Sequence, residues 1–274
     1  MTEGRRRAYG QHFLKDRSIA EAIARAAVEE GKKAHCGSFL EIGPGRGAIT
    51  EPLIHMLDGS PLILVEKDRA LAEHWRANAA SEVFSSDFLE LSDEKWLKKP
   101  PVAVVSNLPY SSGTQILIQL ARRFQGIPVM VLMFQAEVAR RVRAEPSTPD
   151  RGSLSLWIQN RWDVRKLITV KPSAFSPPPK VLSEVIVLHR RSESRIEIGD
   201  AEFEVEGKQI DEEVLWEKVL KAAFAHRRKM LRSSFPWQNA LALSGVDGKK
   251  RAEALDWTEW SQLFQAVKAV IKQS

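Results

Sequence analysis

Cysteine is nearly absent from this sequence, since Cys36 is the only one among 274 residues. A single cysteine excludes an internal disulfide and a metal cluster held by several thiolates. His12 has no partner pattern typical of metal or triad chemistry, so we predict no metal site. Long apolar runs are also lacking, so we predict no membrane-spanning helix. The basic start, Met1 to Arg7, leads into no apolar segment; we therefore expect no secretory signal and a cytoplasmic location.

Acidic residues are outnumbered by basic ones. The 41 lysines and arginines exceed the 35 acidic residues, which gives a formal net charge of +6 and a pI of about 9.4. One basic cluster is commonly a solvated helix face, but several in one chain favour a nucleic-acid partner. The clusters are Arg5-Arg6-Arg7, Arg122-Arg123, Arg140-Arg141 with Arg143, and Arg227-Arg228-Lys229 with Arg232.

The composition changes near Arg190. The chain is 43% hydrophobic overall, and the residues before Arg190 are numerous enough to build one sizeable core. The segment from Ser192 to Glu213 is acidic and poor in large apolar residues, which predicts a linker or a small surface hairpin. From Val214 onwards, apolar residues recur at helical spacing. We therefore predict a domain over residues 1–190 and a small, all-helical C-terminal domain over residues 191–274, with its tryptophans in the core.

A glycine-rich turn follows the first predicted strand of the sheet. Ser38 to Ile42 is apolar enough for a buried strand, and Gly43-Pro44-Gly45-Arg46-Gly47-Ala48 precedes a helical pattern. Glycines allow a tight turn and a close approach of the backbone to a ligand. The spacing is typical of a site for a nucleoside cofactor, but it does not discriminate NAD from S-adenosylmethionine.

Two carboxylates follow the next two predicted strands. Glu66 ends the apolar run Leu62 to Val65, about 20 residues beyond the glycines, which is the separation expected for a partner of ribose hydroxyls. Asp87 follows the short strand Val83-Phe84, where it could accept a hydrogen bond from an adenine amine. The alternative for both residues is that they are ordinary surface charges. This alternative is stronger for Asp87 than for Glu66, because aspartate is common in loops.

The turn Asn107-Leu108-Pro109-Tyr110 follows another buried strand, Val102 to Val105. A polar group at the carboxyl end of a central parallel strand lies where such sheets bind ligands. The Asn107 amide offers an acceptor and Tyr110 offers a flat face, which together suit a flat group bearing an amine, such as adenine. Taken alone, these residues favour a simple proline-containing turn from strand to helix. The neighbouring motifs overturn that and favour the functional interpretation.

Two further strands, Val164 to Val170 and Glu184 to Leu188, flank a proline-rich loop that contains Phe175. Consecutive prolines hold such a loop extended. An antiparallel pair that closes a parallel sheet is typical of the seven-stranded methyltransferase fold and is lacking in dinucleotide dehydrogenases. The fold class predicted is therefore α/β, with a Rossmann-like class I methyltransferase sheet.

Together, these motifs resemble those of the ribosomal RNA adenine dimethyltransferases of KsgA type, which act on the small subunit. The resemblance covers almost the whole chain, and the order and spacing of its motifs are highly specific. The matching stretches are Gly10 to Leu14, Glu41 to Gly47, Glu66, Asp87, Asn107 to Tyr110, Phe134 to Arg140, Phe175 to Val181 and Phe224 to Arg232. One departure is Arg151, which stands where family members often carry tyrosine.

The resemblance implies S-adenosylmethionine as the cofactor. It implies that Gly43, Gly45 and Gly47 lie under the cofactor, that Glu66 holds its ribose and Asp87 its adenine, and that His12 and Leu14 cover it through their backbone. It also implies that Asn107 and the Leu108 carbonyl hold the target amine, while Tyr110 and Phe175 sandwich the base.

The function implied is dimethylation of two adjacent adenines near the 3′ end of small-subunit rRNA during subunit maturation. Arg227, Arg228 and Lys229 are the predicted RNA contacts, and we expect a monomer. Three alternatives remain: a resistance-type methylase of large-subunit rRNA, a non-catalytic ribosome-assembly or transcription factor, and a nicotinamide dehydrogenase. The runs Phe224 to Arg232 and Phe134 to Arg140 favour the small-subunit enzyme, and the dehydrogenase lacks an evident catalytic pair.

Overall fold

The computed structural model describes residues 12–78 and 82–273. Its strands are β1 (Phe13–Leu14), β2 (Ser38–Ile42), β3 (Leu62–Glu66), β4 (Glu82–Ser85), β5 (Val102–Asn107), β6 (Val129–Gln135), β7 (Trp162–Val170), β8 (Phe175–Ser176), β9 (Ser183–Arg190), β10 (Glu202–Val205) and β11 (Lys208–Asp211). Its α-helices are α1 (Arg17–Lys33), α2 (Thr50–Met56), α3 (Arg69–Asn78), α4 (Asp93–Trp96), α5 (Gly113–Arg122), α6 (Ala136–Val142), α7 (Ser153–Arg161), α8 (Glu212–Phe224), α9 (Leu231–Ser234), α10 (Gln238–Ser244) and α11 (Trp257–Lys272). None of the helices in these ranges is long and apolar enough to cross a membrane.

The central sheet contains seven strands in the order β4-β3-β2-β5-β6-β9-β7. The first five strands are parallel, whereas β9 runs antiparallel to β6 and β7 follows it at the edge. Strands β2 and β3 are buried along their whole length, as expected for parallel strands covered on both faces. The predicted seven-stranded α/β sheet is confirmed, and the parallel strands direct their carboxyl ends to one edge.

Helix α1 packs closely on the sheet for reasons that lie in its sequence. The Asp16 side chain caps its start by accepting a hydrogen bond from the Ile19 N–H at 3.2 Å. A Cβ added at Gly31 would lie only 2.6 Å from the Phe39 ring, so glycine permits the close approach of the helix to β2.

Two compact units are present, and they differ from the predicted domains in one segment. Unit 1 comprises Met1–Ala139 with Asp163–Arg190, and unit 2 comprises Arg140–Trp162 with Arg191–Ser274. Residues 140–162 were predicted to belong to the first domain of residues 1–190. They join unit 2 because Leu156 of α7 is buried in its hydrophobic core.

The C-terminal domain was predicted to be all-helical, whereas unit 2 is mainly helical and also contains two strands. Strands β10 and β11 form an antiparallel hairpin within the acidic segment 192–213. Its turn places Glu206 and Gly207 at positive φ, +54° and +73°, as a tight two-residue hairpin requires. The tryptophans do lie in the core where predicted: Trp216 and Trp260 are buried and pack edge to face.

Candidate active site

A cavity of about 410 Å³ opens in unit 1 at the carboxyl ends of β2, β3 and β5. Its position and size are those of a small-ligand site in a parallel α/β sheet. Among the residues that line it are nine predicted site residues: His12, Leu14, Gly43, Gly45, Glu66, Asp87, Asn107, Leu108 and Tyr110. Two predicted site residues, Gly47 and Phe175, do not line it.

Glu66 holds the glycine-rich turn in place. It ends β3, is only 3% exposed, and accepts hydrogen bonds from the Gly45 and Asp68 N–H groups, both at 2.9 Å. Burial raises the pKa of Glu66, and these backbone donors oppose the shift. A carboxylate has about four lone-pair sites, so about two remain for the hydroxyl groups of a ligand.

The glycines of the turn have different tasks. Gly43, Gly45 and Gly47 all adopt positive φ, at +70°, +55° and +89°. A Cβ at Gly43 would meet no atom within 4 Å, whereas one at Gly47 would lie 2.5 Å from the Trp75 ring. Trp75 also donates through Nε1 to the Gly45 carbonyl at 3.0 Å. Gly43 therefore faces the cavity, while Gly47 makes room for the tryptophan that supports the turn.

Asp87 lines the cavity beside Lys67. Its Oδ1 accepts the Leu89 N–H at 3.0 Å, and its Oδ2 accepts the Lys67 ammonium at 2.7 Å. Burial raises the pKa of Asp87, but the bonds from Lys67 and Leu89 outweigh it, so the net shift is downwards. The carboxylate is thus kept ionised and ready to accept a donor.

Glu41 is a cavity-lining residue that the sequence analysis did not assign as a site. It is 2% exposed, and its Oε2 has no hydrogen-bond partner among the described residues. Burial raises the pKa of Glu41 to about 8; the nearby Thr50 hydroxyl opposes this rise and the Glu66 carboxylate adds to it. An acidic residue inside an otherwise apolar strand, two positions before the first glycine of the turn, was the signal available in the sequence.

Asn107 and Leu108 present two acceptors to the cavity. The Asn107 Nδ2 donates to the His12 carbonyl at 3.3 Å, and this bond fixes which face of the amide carries oxygen. Within the described part of the chain, neither the Asn107 Oδ1 nor the Leu108 carbonyl accepts a hydrogen bond. The Leu108 N–H is engaged with the Met133 carbonyl at 3.2 Å, which anchors the turn to β6.

Tyr110 is held at the cavity by two contacts. Its hydroxyl lies 2.6 Å from the Ser183 Oγ, and its ring centroid lies 5.2 Å from that of His12. His12 is fixed in turn by its Nδ1, which donates to the Pro177 carbonyl at 2.8 Å. Burial raises the pKa of Tyr110, so the phenol remains protonated at neutral pH.

Phe175 is placed differently from the predicted sandwich. It lies in β8, opposite Leu14 of β1 in an antiparallel pair, and it is 1% exposed. Its side chain belongs to the hydrophobic core of unit 1. In this arrangement Phe175 pins the segment that carries His12 and Leu14, and of the two residues predicted to sandwich the base only Tyr110 lines the cavity.

Comparison with known proteins gives a consistent family. The model of the family described as "Ribosomal RNA adenine dimethylase" matches residues 3–269. The chain belongs to the ribosomal RNA adenine dimethylase family. A relative from Syntrophotalea carbinolica, "Ribosomal RNA small subunit methyltransferase A", is 33% identical over 94% of this chain and 95% of its own. One of the same name from Acidovorax ebreus is 35% identical over 95% and 97%.

Solved structures support the fold. A dimethyladenosine transferase from Plasmodium falciparum superposes with a TM-score of 0.70 at 21% identity and covers 95% of this chain and 99% of that one. The 23S rRNA methyltransferase ErmE superposes with a TM-score of 0.62 at 24% identity, over 93% and 99% of the two chains. The predicted family, the methyltransferase fold and S-adenosylmethionine as the cofactor are confirmed.

The cavity fits the cofactor of the ribosomal RNA adenine dimethylase family. The carboxylate of Glu66 would have acceptor sites left for ribose hydroxyls, and the ionised carboxylate of Asp87 would accept a hydrogen bond from an adenine amine. The Oε2 of Glu41, which has no hydrogen-bond partner among the described residues, adds a further polar atom to the lining. Gly43 leaves the space beside the turn open.

Proposed function

We propose that this chain transfers methyl groups from S-adenosylmethionine to the exocyclic amines of two adjacent adenines near the 3′ end of small-subunit rRNA, during maturation of that subunit. The observation that carries the proposal is a pair of acceptors beside the Tyr110 ring in the cavity, the Asn107 Oδ1 and the Leu108 carbonyl, which accept no hydrogen bond from any residue that the structure describes. The choice of the small subunit is supported by the names of the relatives from Syntrophotalea carbinolica and Acidovorax ebreus.

The two acceptors address the central difficulty of the reaction. The exocyclic nitrogen of adenine is a poor nucleophile, because its lone pair is delocalised into the ring. Hydrogen bonds from its two N–H groups to Asn107 and Leu108 would orient the amine and direct the lone pair away from the ring plane. S-adenosylmethionine supplies an electrophilic methyl group when it is bound. Positioning of the amine, rather than a strong base, is then the main catalytic requirement.

The proton balance of the transfer needs no dedicated side-chain base. The methylated nitrogen carries a positive charge and is acidic, so it loses its proton after the transfer. Asn107 is a neutral amide, and the Tyr110 phenol is protonated, so neither removes a proton beforehand. The Tyr110 ring would stack on the adenine and offset part of the free energy that the base loses when it leaves its helical stack.

Contact with RNA is assigned to unit 2. Arg227, Arg228 and Lys229 are exposed at the end of α8, and cationic side chains bind phosphates through a salt-dependent attraction. Arg227 also donates through Nη2 to the Pro149 and Arg151 carbonyls. We propose that Arg228 and Lys229 contact rRNA directly, while Arg227 mainly holds the loop beside them. The enzyme would act as a monomer in the cytoplasm.

The test of the proposed function uses purified protein, methyl-labelled S-adenosylmethionine and unmethylated small or large ribosomal subunits, followed by nucleoside analysis. Dimethyladenosine formed only in small-subunit RNA is the expected result. Label in large-subunit RNA would place the chain with the resistance-type methylases. Tight binding to small subunits without label would instead indicate an assembly factor that does not catalyse the transfer.

A further inference from the structure

Lys67 lines the cavity and forms an ion pair with Asp87 there. It follows Glu66 at the end of β3, while Asp87 follows the neighbouring parallel strand β4. Their side chains meet across the cavity lining, with the Lys67 Nζ 2.7 Å from the Asp87 Oδ2. The Lys67 side chain is 56% exposed and the Asp87 side chain 22% exposed, so the ion pair lies at the edge of the cavity and not in the core.

The carboxylates of Glu66 and Asp87 differ in the kind of hydrogen-bond donor that they accept. Both Glu66 oxygens accept main-chain N–H groups, which are fixed by the fold. The Asp87 Oδ1 likewise accepts the Leu89 N–H. The Asp87 Oδ2 is instead bonded to the end of a long, half-exposed side chain. The Asp87 Oδ2 is therefore the exchangeable acceptor of this carboxylate.

We propose that the Lys67 ammonium occupies the acceptor on Asp87 that the exocyclic amine of adenine would use. The ammonium must leave this acceptor when the cofactor binds. This inference rests on the proposed function, because it takes the adenine partner to be Asp87. The ammonium donates an N–H to the same oxygen that the purine amine would use. Lys67 is thus a positioning residue that keeps Asp87 ionised and oriented in the unliganded protein, and it weakens cofactor binding through competition.

Two consequences distinguish competition from a purely structural ion pair. Removal of the ammonium should tighten binding of the cofactor product S-adenosylhomocysteine, because no ion pair is then broken. A pair with this exposure contributes about 1 kcal/mol at most, which corresponds to a gain of up to about fivefold in affinity. Salt should also tighten binding to the wild-type protein, since it weakens the competing ion pair while the ligand has no net charge.

The experiment is calorimetric titration of the full-length protein with S-adenosylhomocysteine at about 0.05 M and about 0.5 M salt. Lys67→Met should bind up to about fivefold more tightly at low salt and lose the salt dependence. Lys67→Arg, which keeps a cation, should retain it. Lys98→Met is the matched control, because Lys98 forms a similarly exposed ion pair with Glu82 that does not line the cavity.

Weaker binding by Lys67→Met would overturn the inference, because it would mean that the ammonium contacts the ligand favourably. Equal affinity and equal salt dependence in Lys67→Met and the wild type would also overturn it. If neither the wild type nor Lys98→Met bound S-adenosylhomocysteine, the proposed function would fail as well. The three results are distinct, because the first two leave cofactor binding by the wild type intact.

Discussion

Glu41 is an ionisable residue whose side chain is almost fully buried, at 2% exposed. Its carboxyl is buried beside the glycine-rich turn, and burial raises its pKa to about 8 from an ordinary value of 4.5. Below pH 4.5 the carboxyl is protonated in both the folded and the unfolded chain. Between these two values only the folded chain keeps the proton. The contribution of Glu41 to stability is therefore present at low pH and is lost as the pH rises through the window.

Glu41→Gln should remove this pH dependence without changing the shape of the side chain. One retained proton changes the free energy of unfolding by about 1.4 kcal/mol per pH unit, so the variant should gain up to about 3 kcal/mol on the wild type between about pH 5 and about pH 7.5. Urea unfolding at the two pH values measures the difference. Glu94→Gln, at an exposed position, should show no such change; a pH-independent difference for Glu41→Gln would contradict the assignment.

Asn107 is the residue on which the proposed reaction depends most directly. Asn107→Ala removes one of the two acceptors that orient the target amine, so the rate of methyl transfer should fall by about 10²- to 10³-fold. Affinity for S-adenosylhomocysteine should be nearly unchanged. Transfer of labelled methyl groups and calorimetry measure the two quantities. Asn239→Ala, at an exposed position on α10, is the control; an unaltered turnover in Asn107→Ala would remove Asn107 from the mechanism.

At the scale of elements, two glycines of the turn between β2 and α2 have different effects: Gly47 matters for stability and Gly43 for binding of the cofactor. Gly47→Ala combines a positive φ of +89° with a Cβ 2.5 Å from the Trp75 ring. It should destabilise the protein by about 3 kcal/mol, as strain and overpacking add. Gly43→Ala has the strain alone, and its methyl group faces the open cavity. Gly43→Ala should therefore lower the stability of the protein less than Gly47→Ala does, but it should lower the affinity for the cofactor more. Thermal unfolding measures the first quantity and calorimetry the second. Equal losses of stability in the two variants would contradict the distinction.

Elements that are defined by local pattern were predicted well from the sequence. Strand β2 was placed at Ser38 to Ile42, the range that the structure has, because a buried parallel strand is rich in apolar residues and this one is followed by a glycine-rich turn. Long-range packing was not predicted. Residues 140–162 join unit 2 through contacts such as that between the buried Arg151 and the carbonyls of Glu253 and Leu255. No local pattern encodes a partner more than 100 residues away.

The candidate site shows the same division. Glu66, Asp87 and Asn107 could be located because each follows a recognisable strand, and parallel strands bring their ends together. The support for these residues could not be located. Trp75 reaches Gly45 from a helix 30 residues later, and the ion pair of Lys67 with Asp87 depends on the register of β3 and β4. Burial of Phe175 depends on the pairing of β1 with β8.

On the scale of the whole molecule, the excess of positive charge would attract the phosphates of RNA. The formal net charge is +6, and phosphate contacts make affinity fall with salt in proportion to their number. Arg228 and Lys229 are exposed, and neither donates a side-chain hydrogen bond within the described part of the chain. Arg227, by contrast, donates to two carbonyls of the loop before α7. The three neighbours should therefore respond differently to substitution.

Reversal of charge at both Arg228 and Lys229 should weaken binding to small ribosomal subunits and reduce the slope of log affinity against log salt by about 2, one for each phosphate contact. The stability of the protein should stay within about 0.5 kcal/mol of wild type, because surface substitutions rarely do more. Arg227→Glu should instead lower the free energy of unfolding by about 1 kcal/mol, as the loop carbonyls lose their donor.

Filter binding across a salt series and urea unfolding, applied to both variants, separate these effects. A salt slope that is unchanged by reversal at Arg228 and Lys229 would show that RNA binds elsewhere. The pair Lys32 and Lys33 at the end of α1 is the matched control, since reversal there makes the same change in net charge at an exposed helix end of unit 1. An equal loss of affinity in that control would assign the effect to net charge and not to the site in unit 2.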